Sequence, residues 1–147
     1  MSVATEPRTA LAARLGPRLE LPLRTANAVA GLVSRDTARL YLAAWDVDDD
    51  VVDAVLQVVT ELLGNVVRHT DSAYVVVVLC HLRDHIRVEV SDFGQPRVPG
   101  TAPVIHDVDE DDEDRRGLAL VEYLSVKAGD FPNDHGLTRY CEIALVA

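Results

Sequence analysis

Read as a succession of apolar and polar positions, the chain begins its first regular pattern at residue 17. Pro17–Leu23, PRLELPL, alternates as a short edge strand does. Helical spacing follows. Residues Ala26–Trp45 are rich in Ala, Leu and Arg and predict a helix, with Thr25 as its N-cap. Asp46–Asp50, DVDDD, reads as a turn, and one of its aspartates caps a second helix, Val51–His69. AYVVVVLCHL and HIRVEVSD are β-branched runs separated by Arg83 and Asp84, which predicts an antiparallel hairpin. Pro96, Pro99, Gly100 and Pro103 then break regular structure, and acidic residues fill the stretch up to Arg116. GLALVEYLSV, from Gly117, returns to helical spacing; GDFPNDHG, Gly129–Gly136, reads as a loop; LTRYCEIALV closes as a strand. The order predicts an α+β, two-layer sandwich: a mostly antiparallel sheet with helices on one face. Residues 1–16 read as a flexible N-terminal arm and 17–147 as a single domain.

Composition narrows the functions. A length of 147 residues is enough to bury a sizeable core. The formal net charge of −10 disfavours direct binding to nucleic acid or to anionic lipid, which requires neutralising Lys and Arg. Much of the acid is local, in His106–Arg116 (HDVDEDDEDRR) and in Asp46–Asp50. No apolar run has the length of a membrane span, and the start, MSVATEPRTA, lacks the basic-then-apolar order of a secretory signal, so a cytoplasmic location is expected. Cys80 and Cys141 each lie in a strand-like apolar run and read as buried thiols. No CxxC occurs and the His residues are scattered, so no zinc site is expected.

The second helix carries the first sign of chemistry. Its stretch ELLGNVVRHT places Glu61, Asn65, Arg68 and His69 in an otherwise apolar sequence. With Glu61 set at zero on the helical wheel, Asn65 falls at about 40°, His69 at about 80° and Arg68 at about 340°, while the apolar set spans roughly 60° to 220°. The polar residues therefore line one margin of the buried stripe, where a helix meets both core and cleft. Gly64, which costs about 1 kcal/mol relative to Ala inside a helix, permits close approach there.

Three further segments extend the pattern. VEVSDFGQPRVP ends a strand on Asp92 and turns at Gly94, so a carboxylate can meet a ligand's amino group where backbone comes close. DRRGLALVEYL has Arg115, Arg116 and Gly117 opening a helix, whose free N–H groups and positive dipole end suit phosphate. HGLTRYCEI places Thr138 on a strand after a Gly turn. Each signal is weak alone; their order and spacing are specific.

In that order the segments resemble the boxes of the Bergerat-fold (GHKL) ATPases, the superfamily of gyrases and histidine kinases. ELLGNVVRH is similar to the N box, DFGQP to the first Gly box, RRGLALVEYLS to the second, and GLTRYCEIAL to the closing strand. Within the superfamily, size and detail look most like the anti-sigma factor serine/threonine kinases of bacterial partner switching, over about residues 17 to 146.

The resemblance implies a histidine-kinase-like ATPase fold with ATP and Mg²⁺ as ligands. Asn65 would hold Mg²⁺, with phosphate oxygens and water completing its shell. Glu61, one turn earlier, would be the general base, and Arg68 would touch phosphate. Asp92 would accept a hydrogen bond from the adenine amino group, with Thr138 supporting the same ring edge and Gly94 letting backbone pass. Arg116, Gly117 and Leu118 would pack against the phosphates, under an acidic lid over Val98–Asp114. The implied reaction is phosphoryl transfer to a Ser or Thr of a STAS-type anti-anti-sigma protein, and the second implied task is sequestration of a sigma factor. Arg35 and Arg39 are its candidate contacts, and the group often forms homodimers. Two positions depart from the boxes: Pro96 stands where a second Gly is usual, and Arg115 replaces the first Gly of the later box. Two alternatives therefore stand beside the kinase: a catalytically inactive protein-binding module of the same fold, and a detached histidine kinase ATPase domain.

Overall fold

The computed structural model describes residues 16–26, 30–95 and 113–145, excluding the side chains at 30, 32, 33 and 113–116. Its elements in chain order are β1 (Arg18–Arg24), α1 (Ala30–Ala44), α2 (Asp49–His69), β2 (Tyr74–His81), β3 (His85–Asp92), α3 (Glu113–Leu124), β4 (Lys127–Pro132) and β5 (Leu137–Ala144). The strands form one sheet in the order β1-β2-β3-β5-β4, and every neighbouring pair is antiparallel. All described helices pack on one face of it, as the periodicities predict. Residues 1–15 of the expected arm and most of the expected lid lie outside the described residues.

The core follows from alternation. Leu19 of β1, Val75, Val77 and Leu79 of β2, Ile86, Val88 and Val90 of β3, and Cys141 and Ile143 of β5 all point to the helical side. They meet the stripe of α2, where Val51, Val55, Val58, Val59, Leu62 and Val66 are buried. Fully burying a side chain of this size contributes about 1.5–3 kcal/mol, so α2 anchors the layer.

The ends of α1 and α2 are set by local chemistry. Asp46 adopts a left-handed φ of 58°. The Asp46 N–H donates to the Ala43 carbonyl at 3.1 Å and the Val47 N–H to Leu42 at 3.0 Å, which closes α1 in a Schellman turn. Asp48 takes the N-cap position of α2 with extended backbone, yet its side chain makes no capping bond. Asp49 and Asp50 in the first turn, and Arg68 and His69 in the last, complement the helix dipole instead.

Three expectations need correction. Thr25 does not cap α1: its N–H donates to the Ala73 carbonyl at 3.1 Å and its hydroxyl to the Ser72 carbonyl, so it prolongs the β1–β2 ladder. The first half of the loop expected at Gly129–Gly136 is strand β4, leaving Asn133–Gly136 as a turn. Gly, Asp and Pro there resemble breakers, but β4 is an edge strand and bonds on one side only. A Cβ on Gly129 would lie 3.2 Å from the Tyr140 ring, so the glycine makes room for an aromatic face. Finally, α3 begins at Glu113, four residues before Gly117.

The sheet face away from the helices carries a charged cluster. The Arg87 side chain is 1% exposed. Its Nε donates to Glu89 at 2.7 Å, its Nη1 to Glu142 at 3.3 Å, and its guanidinium lies 4.3 Å from the Tyr140 ring centre. Removing one member of a buried ion pair strands the other charge, at a cost of about 3 kcal/mol or more. Arg87→Ala is therefore expected to lower the urea midpoint strongly with an unchanged m-value. Both cysteines are buried free thiols, and burial pushes Cys141 up to about 12, which leaves it unreactive.

Candidate functional site

Asp92 is the last residue of β3, and strand pairing sets what lies around it. Register places Ser91 opposite Thr138, so β5 starts beside the carboxylate. Asp92 is 2% exposed and lines a cavity of about 470 Å³ with Thr70, Gly94, Asn133 and Gly136. Its Oδ1 accepts long hydrogen bonds from the N–H groups of Gly94 and Leu137, both at 3.3 Å. Two glycines keep this corner tight. A Cβ on Gly136 would lie 2.6 Å from the Asp92 carbonyl oxygen, and one on Gly94 would lie 2.6 Å from the Ser72 nitrogen.

The loop after Asp92 is bolted to the end of α2. The Gln95 N–H donates to Asp71 Oδ1 at 2.7 Å, the Asp71 N–H returns a bond to the Gln95 carbonyl at 3.0 Å, and the Phe93 N–H donates to Ser72 Oγ at 2.9 Å. Thr70, the C-cap of α2, thereby stands on the Asp92 cavity. Asn65 lies five residues upstream, about 7.5 Å along the helix axis.

Asn65 is fully buried. Its Nδ2 donates to the Glu61 carbonyl at 3.1 Å, but its Oδ1 has no partner among the described residues. A buried acceptor without a partner costs about 1–3 kcal/mol. A hard amide oxygen held in this way fits a divalent cation such as Mg²⁺, which takes oxygen ligands. Among the described residues no three His, Cys, Asp or Glu gather to hold a metal.

Of the expected site residues, Asp92 and Gly94 line the cavity at the end of β3, whereas Asn65, Glu61, Arg68, Gly117, Leu118 and Thr138 are not part of its lining. Glu61 lines a separate groove of about 550 Å³ with Arg35, Arg39, Thr60 and Leu120. Arg68 lines a third, of about 320 Å³, with Arg24, Arg35 and Val75. The Arg68 guanidinium covers Gly64, where a Cβ would lie 2.7 Å from Nη1. The close approach that Gly64 permits is thus to Arg68 itself, and Arg68 is not brought to the Asp92 cavity. Leu118 puts its side chain in the core. Gly117 sits one turn inside α3, so its own N–H is not among the first free ones of that helix. Arg116 is in the first turn of α3, and its side chain lies outside the described residues. The Thr138 hydroxyl is already engaged, by Ser91 Oγ at 2.8 Å and Asn133 Nδ2 at 3.2 Å.

Two residues of this corner escaped the sequence reading. Asn133 accepts from the N–H groups of His135 and Gly136, at 2.9 and 2.7 Å, and donates to the Asp92 carbonyl at 3.0 Å and to Thr138. It fastens the β4–β5 turn to Asp92. The available signal was an Asn three residues before a Gly, an Asx-turn pattern. Arg139 is 1% exposed on the cavity wall; burial lowers its pKa, while Asp130 and Asp92 oppose that shift. Its strand position offered no signal.

A sheet covered on one face by helices, with a buried Asn on the central helix and a buried Asp at an adjoining strand end, defines a histidine-kinase-like ATPase fold. The chain belongs to the histidine kinase-like ATPase domain family, whose match covers residues 23–131. Among curated proteins it is similar to the sensor histidine kinase YxjM of Bacillus subtilis (strain 168), with 32% identity over 63 residues. That match takes in 43% of this chain and 15% of the kinase. Among solved structures it is similar to the RsbU and RsbW domains of Rv1364c from Mycobacterium tuberculosis, with TM-score 0.65 and 21% identity. That likeness covers 88% of this chain and 32% of the other. No described helix is long and apolar enough to cross a membrane.

Proposed function

We propose that this chain binds Mg-ATP between α2 and the Asp92 end of the sheet. It passes the γ-phosphoryl group to a Ser or Thr hydroxyl of an anti-anti-sigma protein and, as its second task, sequesters a sigma factor. The observation that carries the reading is the buried, unpartnered Oδ1 of Asn65, in α2 five residues before Thr70, which lines the Asp92 cavity. Size and sequence detail within the superfamily support the anti-sigma assignment, and the likeness to a structure containing RsbU and RsbW domains is consistent with it.

Each residue then has a task. Asp92 accepts from the adenine amino group, which selects adenine over guanine. Asn65 holds Mg²⁺, which supplies neutralisation of phosphate charge. Glu61 faces the groove from which an acceptor arrives. It takes the hydroxyl proton as the acceptor oxygen bonds to the γ-phosphorus and the bond to the ADP oxygen breaks. Positioning and charge neutralisation provide most of the acceleration. Arg35 and Arg39, on the same groove, are partner contacts.

Two other readings each have an observation. Glu61 and Asp92 line different cavities, which suits a binding module that has lost transfer. The 63-residue similarity to a sensor histidine kinase suits a domain that phosphorylates His on another chain. Partners captured from the native host, incubated with γ-labelled ATP and mapped by mass spectrometry, separate all three. Label on Ser or Thr supports the proposal. Label on His supports the third reading, and nucleotide-independent capture without label supports the second.

A further inference from the structure

Gly117 is set against the side chain proposed as the base. It lies within α3, buried, with no left-handed φ to require glycine. A Cβ built there would overlap Glu61 Oε2 and lie 2.9 Å from Glu61 Cδ. The Glu61 carboxylate therefore occupies the space that a side chain at 117 would fill. Glu61 is half-buried and borders the open groove, so it has somewhere else to go.

From this contact we infer that Gly117 is a positioning residue for Glu61: its missing side chain holds the carboxylate against α3, at the inner end of the groove that receives the phosphoacceptor. The role of Glu61 as base rests on the function proposed above; the packing of Glu61 against Gly117 does not.

The two consequences of filling the site have opposite signs. Within a helix Ala is favoured over Gly, because glycine surrenders more backbone freedom on folding. Gly117→Ala relieves that cost but drives Glu61 outward. The fold gains while the base is displaced.

The experiment is a double-mutant cycle on the full chain with Glu61→Ala and Gly117→Ala, reading melting temperature, ATP affinity and phosphotransfer to the captured acceptor. In the Glu61→Ala background nothing must be displaced, so Gly117→Ala raises Tm by on the order of 4 °C. In wild type the rise is smaller. Equal rises in both backgrounds would overturn the inference, whatever the activity. In wild type, Gly117→Ala lowers kcat about tenfold or more, leaves ATP affinity within about twofold, and adds nothing to the loss caused by Glu61→Ala. A Gly117→Ala protein with full kcat also overturns it, as does one whose ATP affinity falls in step with kcat. Should wild type transfer no phosphate to any acceptor, the proposed function fails, and the Tm cycle still decides the inference.

Discussion

Asp92→Asn is expected to weaken ATP binding about 100-fold while leaving the fold in place. The substitution keeps shape but exchanges a carboxylate for an amide. Asp92 is buried, and its Oδ1 already accepts from the Gly94 and Leu137 N–H groups. An amide must either turn its NH₂ toward those donors or present it to the adenine amino group, and one donor then faces another. A lost hydrogen bond to a charged group is worth about 1.5–3 kcal/mol, and about 1.4 kcal/mol is tenfold in affinity. Calorimetric titration with ATP reads the loss directly, and a matching GTP titration shows whether the preference for adenine disappears with it. An unchanged ATP affinity would remove Asp92 from the site.

Glu61→Gln is expected to lower the phosphotransfer rate about 10²–10⁴-fold, the usual contribution of a positioned general base. ATP affinity should stay within about twofold, because Glu61 lines the groove beside Arg35 and Arg39 and not the Asp92 cavity. Single-turnover transfer from labelled ATP separates the two quantities. Loss of ATP affinity in proportion to rate would make Glu61 a nucleotide ligand instead.

Much of the fold was legible because it rests on periodicity. The stripe of α2 is continuous from Val51 to Val66, and the β2–β3 hairpin is written in β-branched residues around Arg83-Asp84. Element ends were less legible, since they depend on partners distant in sequence. Thr25 looks like a cap, but its hydroxyl bonds a carbonyl 47 residues away. Gly129 and Pro132 look like breakers until the edge position and the Tyr140 ring are known.

The candidate site divides in the same way. Asn65 and Asp92 were readable from local context: a polar residue at the margin of an apolar stripe, and an acid at a strand end before Gly. What surrounds them was not. Asn133 and Arg139 reach the Asp92 corner only through the pairing of β5 with β3 and β4. The wheel put Arg68 on the side of Glu61 and Asn65, but it lies back over Gly64, toward the cavity shared with α1 and β1. Angular position on a helix fixes the direction in which a side chain leaves, whereas packing of the neighbouring helix fixes where its end arrives.

The central claim is that Asn65 and Asp92 serve one nucleotide, with a divalent cation between protein and phosphates. Calorimetric titration of ATP into wild type and Asn65→Ala, each with Mg²⁺ and with chelator, tests it most directly. Asn65→Ala gives up the 3.1 Å bond to the Glu61 carbonyl and some buried packing, but it also removes an unpartnered buried acceptor, which offsets the loss. Its melting temperature should therefore remain close to that of wild type. The account predicts that Mg²⁺ tightens ATP binding to wild type by about tenfold or more and does nothing for Asn65→Ala. Equal Mg²⁺ enhancement in both proteins, each folded, would contradict it.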